Sequence, residues 1–142
     1  MDYLIRTNPM ELDSTGYMEL GPGKYVGRHW TPGFLFIWED AFGMAEGIIA
    51  RHMKDYDQFG TNNIPKEIGV RIAKDWNTIA TELKSLTPEQ IHSRLNLQEV
   101  YREFLSSEIV AHKSEIAKLL SQLSRTFIDL YREHDYLCVL GV

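Results

Sequence analysis

Residues 32–59 read PGFLFIWEDAFGMAEGIIARHMKDYDQF, and the interpretation of this stretch decides the fold. Apolar side chains recur at helical spacing through Phe34, Trp38, Ala41, Ala45 and Ile48, and His52 and Tyr56 continue the row. Leu35, Phe36, Ile37, Phe42, Met44 and Ile49 fall between those positions, so the helix is apolar over much of its circumference. A helix of that kind belongs in the interior. Thr31 as cap and Pro32 at the first helical position predict its start, and Asp55–Gln58 followed by Gly60 predicts its exit.

Outward from this element, helical signals dominate. Pro65 opens a second helix with Ile68, Ile72, Trp76, Ile79, Leu83 and Leu86 on one face. Thr87-Pro88-Glu89-Gln90 predicts a capping box and a short helix holding Ile91 and Leu95, and Asn96 with Glu99 predicts a further capping box. From Leu97 onward Val100, Tyr101, Phe104, Leu105, Ile109, His112, Ile116, Leu119, Leu123, Phe127 and Leu130 keep helical spacing. One helix of that length is unusual, which predicts a break near Ser106-Ser107 or His112-Lys113-Ser114.

Residues 1–30 differ, being glycine-rich with short apolar pieces. Gly21-Pro22-Gly23-Lys24 predicts either a small hairpin between Tyr17–Leu20 and Tyr25–Arg28 or irregular chain packed on the core. Gly60-Thr61-Asn62-Asn63 reads as a loop, and Tyr136–Val142 as an apolar segment docked on the core, in extended form. The expected architecture is therefore mainly α: one domain over 1–142, a bundle of four to five helices around a buried central helix, with an irregular or hairpin N-terminal segment.

Composition narrows the function classes. The chain has 142 residues, 44% hydrophobic and 25% charged, which is enough to bury a core and unlike a disordered chain. Its net charge of −5 comes with no concentrated basic face, which argues against direct nucleic-acid binding. A single cysteine, Cys138, allows no internal disulfide and suits a reducing compartment. The opening MDYLIRTNPMELD lacks the basic flank and apolar region of a signal peptide. No run approaches the roughly 18 apolar residues of a membrane span, so a cytoplasmic protein is expected.

Catalytic chemistry finds little footing. Carboxylate-bridged di-iron bundles need two Glu-x-x-His helices, and only Glu89-Gln90-Ile91-His92 has that spacing. There is no Gly-x-Ser-x-Gly elbow, and the apolar surroundings of Cys138 raise rather than lower a thiol pKa. Gly21-Pro22-Gly23-Lys24 lacks the spacing of a phosphate loop. His52 and His112 sit on apolar faces and are the histidines whose meeting in a shared pocket would signal acid–base chemistry. Gly43 and Gly47 form a small-residue stripe with Ala41 and Ala45, whose expected use is the close approach of another helix. No catalytic, cofactor or metal residue is assigned.

Carboxylates remain. Residues 34–60 carry Glu39, Asp40, Glu46, Asp55 and Asp57 against Arg51 and Lys54, and Glu99, Glu103 and Glu108 add a second acidic row. Such rows are ordinarily solvated faces. They can also dock a cationic partner, with acids steering and aromatic neighbours such as Tyr56, Phe59 and Tyr101 anchoring. On that reading Asp55, Tyr56 and Asp57 form the leading contact cluster, and Glu99 and Glu103 the second.

Small, acidic and without a catalytic motif, with its early FLFIWEDAF run and closing LCVLGV, the chain resembles the immunity proteins of bacterial contact-dependent growth inhibition systems. The resemblance implies a cytosolic protein that binds a cognate toxin domain and blocks its active site; a monomer or weak homodimer is expected. Such toxins are often nucleases, an RNase being the first expectation, and they hold phosphates with basic side chains that carboxylates can occupy. Two other classes compete: a helical-bundle enzyme with a metal site or a pocket of histidines and carboxylates such as Glu39 or Glu46, and a non-catalytic adaptor or homodimer joined through the apolar closing segment.

Overall fold

The computed structural model describes residues 1–106 and 108–141, and the side chains of all of these except 104–106. It corrects the mainly-α, all-helical expectation: helices account for 53% of the chain, strands for 16%, and the strands form one five-stranded antiparallel sheet. In chain order the elements are β1 (Ile5–Arg6), β2 (Tyr17–Pro22), β3 (Leu35–Trp38), α1 (Glu39–His52), β4 (Thr61–Pro65), α2 (Lys66–Glu82), α3 (Pro88–Leu95), α4 (Glu99–Ser106), α5 (Ile109–Tyr131) and β5 (Tyr136–Leu140). The sheet order is β1-β3-β2-β5-β4.

The decisive difference lies in Leu35–Trp38. This run is a strand, and α1 starts only at Glu39. Thr31 and Pro32 belong to a turn closed by Phe34 N–H donating to Thr31 O at 3.1 Å, not to a helix start. The strand is buried on both faces: Ile37 faces the helices with Met18 beside it, while Phe36 faces the opposite side. A strand covered on both sides is apolar at every position, so its period of two is erased and it cannot be told from a buried helical segment. Trp38 offers α1 no side-chain cap, but Glu39 and Asp40 place negative charge in its first turn.

The closing segment is extended, as expected, but its place is central. β5 pairs with β2 through Leu20↔Val139 and with β4 through Ile64↔Leu137. The segment read as a loop at Thr61–Asn63 is the first part of edge strand β4. Tyr17–Pro22 is a strand as well, but its partners are β3 and β5 and not residues 25–28, so no local hairpin forms there.

The helices lie against one sheet face. Met18, Leu20, Ile37, Ile64, Leu137 and Val139 join a single core with Ile48, Ile72, Trp76, Leu120 and Phe127. α2 packs chiefly on α5 and α1, with Ser124 Oγ donating to Ala73 O at 2.7 Å, and Tyr131 Oη ties α5 to the sheet by donating to Ile64 O of β4 at 2.8 Å. The apolar face read for α2 is buried at Ile72, Trp76, Ile79 and Leu83.

The other sheet face holds buried Tyr17, Phe36, Cys138 and Leu140. Residues 23–34 cross it as an irregular strap. Trp30 stacks on Phe36, and Glu19, only 2% exposed, accepts from Trp30 N–H at 2.9 Å and contacts His29 Nδ1 at 2.9 Å. Burial pushes the Cys138 thiol up to about 11, with the Glu19 charge adding to the shift, which favours the protonated thiol near neutral pH.

Toward the end of the chain, the capping box at Thr87 and Gln90 is present. Asn96 does not open a second one: it ends α3 in the left-handed conformation, φ 51°, and α4 begins at Glu99. Of the two expected breaks, α4 ends at Ser106, Ser107 lies outside the described residues, and α5 runs unbroken through His112–Ser114. Among the described residues no helix is long and apolar enough to cross a membrane.

Candidate functional site

α1 carries one carboxylate into an otherwise apolar environment. From Ala41 to Ile49 every residue of the helix is buried, and Glu46, 7% exposed, is the one charged residue among them. It forms part of the lining of a cleft of about 320 Å³, together with Gly47, Ala50, Tyr56, Asp57, Gln58, Asn96 and Gln98. Three pieces of chain meet there: the C-terminal half of α1, the loop after it, and the joint between α3 and α4.

Each piece is held by a specific contact. Gly47 lets α3 approach: a Cβ at that position would lie inside van der Waals contact of the Leu95 and Asn96 carbonyl oxygens. Asn96 Nδ2 closes the same contact by donating to Gly47 O at 3.1 Å. Gly43 similarly admits the Tyr101 ring from α4, so the close approach expected of this stripe is present, with α3 and α4 as the neighbours. The loop folds back through Asn62, whose Oδ1 accepts from Asp57 N–H at 2.8 Å and whose Nδ2 donates to Asp57 O at 2.8 Å.

On the cleft floor Tyr56 Oη donates to Glu46 Oε2 at 3.1 Å, and Gln98 Nε2 donates to Glu46 Oε1 at 3.3 Å. The same Gln98 nitrogen also donates to Gln58 Oε1. Burial pushes the Glu46 carboxyl up to about 7; the Tyr56 hydrogen bond opposes this and the charge of Glu39 adds to it. Burial likewise raises Tyr56, helped by Glu46 itself. Tyr101 is raised to about 12 by burial and then by Glu46, Asp40 and Glu39, so these acids share one local field.

The raised carboxyl has a sign that a titration reads. In the unfolded chain Glu46 ionises near 4.5 and in the fold near 7. Its contribution to stability is therefore full below the lower value and is lost as pH rises through the upper one. Glu46→Gln, neutral at every pH, is expected to gain stability over the parent chain between pH 5 and pH 8. Thermal melts of both proteins across that range check it; a constant difference would place the group in water.

Of the five contact residues read from the sequence, the structure brings two to this cleft. Tyr56 is half-buried, with its hydroxyl turned inward onto Glu46. Asp57 lines the cleft and its Oδ1 accepts from Phe59 N–H at 2.9 Å, which shapes the turn. Asp55 is exposed beside them, and Phe59 is 68% exposed on the same loop. Glu99 is exposed next to Gln98 and stands 3.5 Å from Arg102, while Glu103 is exposed one turn further along α4. Sequence reasoning missed Gln58, Asn96 and Gln98, whose signal was confined to the polar character of two short joints. Glu46 was visible as a charge inside an apolar helix.

The histidine pocket does not form. His52 Nε2 contacts Asp75 Oδ2 at 2.6 Å, whereas His112 bonds Tyr3 Oη at 2.9 Å far along the chain. Among the described residues no three His, Cys, Asp or Glu side chains stand close enough to hold a metal ion. No protein-family model matches the chain, and neither does any curated protein or solved structure.

Proposed function

We propose that this chain is an immunity protein: it binds a cognate toxin domain, a nuclease and first of all an RNase, in the cytosol and neutralises it by covering the basic surface that holds the substrate. The observation that supports this reading is the acidic cleft lined by Glu46 and Asp57, with Asp55 and Glu99 exposed beside it. Among the described lining residues there is no lysine, arginine or histidine. Glu46 and Glu99 stand on helices, and the loop that carries Asp55 and Asp57 is tied back by Asn62, so little order has to be created on binding. Opposite fields lift association above the roughly 10⁶ M⁻¹s⁻¹ of a neutral pair, and an interface of about 1,600 Å² is expected.

The test is a search of the adjoining reading frames for a toxin domain, followed by coexpression with it; a gene without such a neighbour counts against the reading. The chain is expected to relieve the growth arrest that the domain causes. The variant Asp55→Lys with Glu99→Lys leaves the Asp57 turn intact and is expected to weaken binding at least tenfold, mainly through slower association, with a shallower salt dependence. Unchanged affinity in that variant would remove the acidic surface from the interface.

A second reading has one observation in its favour. A carboxyl titrating near 7 beside a tyrosine hydroxyl, at the floor of a cleft, has the acidity a general acid–base needs. Glu46→Gln separates the two: it abolishes turnover by an enzyme and leaves a neutralising protein protective, though weaker.

A further inference from the structure

Glu46 is a buried carboxyl group, and among the described residues no lysine, arginine or histidine lies within ion-pair distance of it or lines its cleft. Its two hydrogen-bond donors, the Tyr56 hydroxyl and the Gln98 carboxamide, are neutral. Among the described residues the titratable groups coupled to it are all acids, Glu39 on its own helix, Tyr56 on the following loop and Tyr101 on α4, and Asp57 lines the same cleft. A buried charge left in that state costs free energy unless it is neutralised by a proton or by a cation. The cleft above it is open to receive one.

The position for that cation is marked by Gln98. Its Nε2 is placed between two oxygens, Glu46 Oε1 and Gln58 Oε1, where it supplies N–H donors without charge. Gln98 is exposed and precedes the first turn of α4, so its side chain can swing out without disturbing a helix. Asp57, on the same lining, adds a second carboxylate.

We propose that the cleft is the receptor for one cationic side chain of the protein partner, an arginine ahead of a lysine, which takes the place that the Gln98 carboxamide nitrogen holds in the free protein. Arginine is favoured because its planar fork spans two acceptor oxygens and its guanidinium gives up water more readily than an ammonium. The neutral donor is replaced by a charged one, so Glu46 becomes ionised and its proton leaves to solvent as the cation enters. The proposal rests on the partner-binding reading above and identifies its anchor.

The experiment needs no partner. The Glu46 carboxyl resonance, assigned by its loss in Glu46→Gln, is titrated with N-acetylarginine N-methylamide and with the uncharged N-acetylcitrulline N-methylamide. The arginine probe is expected to lower the midpoint by about one pH unit, and the citrulline probe to leave it unmoved. Gln98→Lys carries its own cation into the cleft: its midpoint is expected to be low without any probe, and its affinity for the arginine probe about tenfold weaker. A midpoint indifferent to the arginine probe, or moved equally by citrulline, overturns the proposal, as does a Gln98→Lys chain that titrates and binds like the parent. A cleft that holds the probe in a chain that protects no cell retains the receptor and removes only the toxin reading. Protection that survives Gln98→Lys undiminished removes the anchor alone.

Discussion

Trp76→Ala is expected to cost about 3–5 kcal/mol, the range for deleting a large aromatic from a well-packed interior. Trp76 is fully buried and joins three helices. From α2 its indole stands edge-on to Phe127 of α5, with ring centroids 4.7 Å apart, and its Nε1 donates to Ala45 O of α1 at 3.0 Å. Truncation therefore opens a cavity at the point where the helical layer is tied together. Against a total stability of about 5–15 kcal/mol for a domain, this brings the chain close to unfolding. Trp76→Phe keeps most of the ring contact and loses the donor, so its cost is expected to be well under half of that. Urea unfolding of both variants measures the difference through the midpoint at constant slope. A Trp76→Ala midpoint close to that of the parent would mean that this junction is not tightly packed.

Gly47→Ala is the second large effect, and it opposes a simple rule. Replacing a glycine inside a helix by alanine ordinarily stabilises by about 1 kcal/mol. Here the added Cβ meets the backbone carbonyls of Leu95 and Asn96, and backbone ending a capped helix cannot move aside as a side-chain tip can. Overpacking of this kind costs about 1–3 kcal/mol beyond the propensity gain. The damage also reaches the cleft, because the same joint carries Asn96 and Gln98. The variant is expected both to melt earlier and to lose the arginine-probe response. Gly43→Ala is the informative comparison: its Cβ meets the Tyr101 side chain, which can rotate, so its cost is smaller. If Gly47→Ala proved more stable than the parent, the close packing of α1 on the end of α3 would be wrong.

How much of this was legible in the chain depends on the element. The face of α2, through Ile72, Trp76, Ile79 and Leu83, follows from spacing alone, because a helix with one wet side records its period in its own residues. The capping box at Thr87 and Gln90 is equally local, its two hydrogen bonds lying within three residues. Leu35–Trp38 could not be resolved in that way, since Ile37 and Phe36 are buried on opposite faces for different reasons. Thr61–Pro65 carries two asparagines and reads as a loop. It becomes a strand because β5 lies along it and because Asn62 Nδ2 finds Val139 O at 3.2 Å.

The candidate site divides in the same manner. Glu46 announced itself as a charge in an apolar helix, and Asp55 and Asp57 as acids just beyond it. That Tyr56 turns inward, and that Gln98 bridges Glu46 and Gln58, depends on where the α1 loop and the α3–α4 joint come to rest. By itself the sequence determined the helices with one wet face, their local caps and the excess of negative charge. Only the tertiary structure decided that the remaining apolar runs pair as a sheet and that a cleft forms over Glu46. The physical reason is the range of the interactions: helical period and caps are settled within a few residues, whereas strand pairing and cleft geometry arise between segments distant in the chain, and a short apolar run satisfies either structure until its partner is in place.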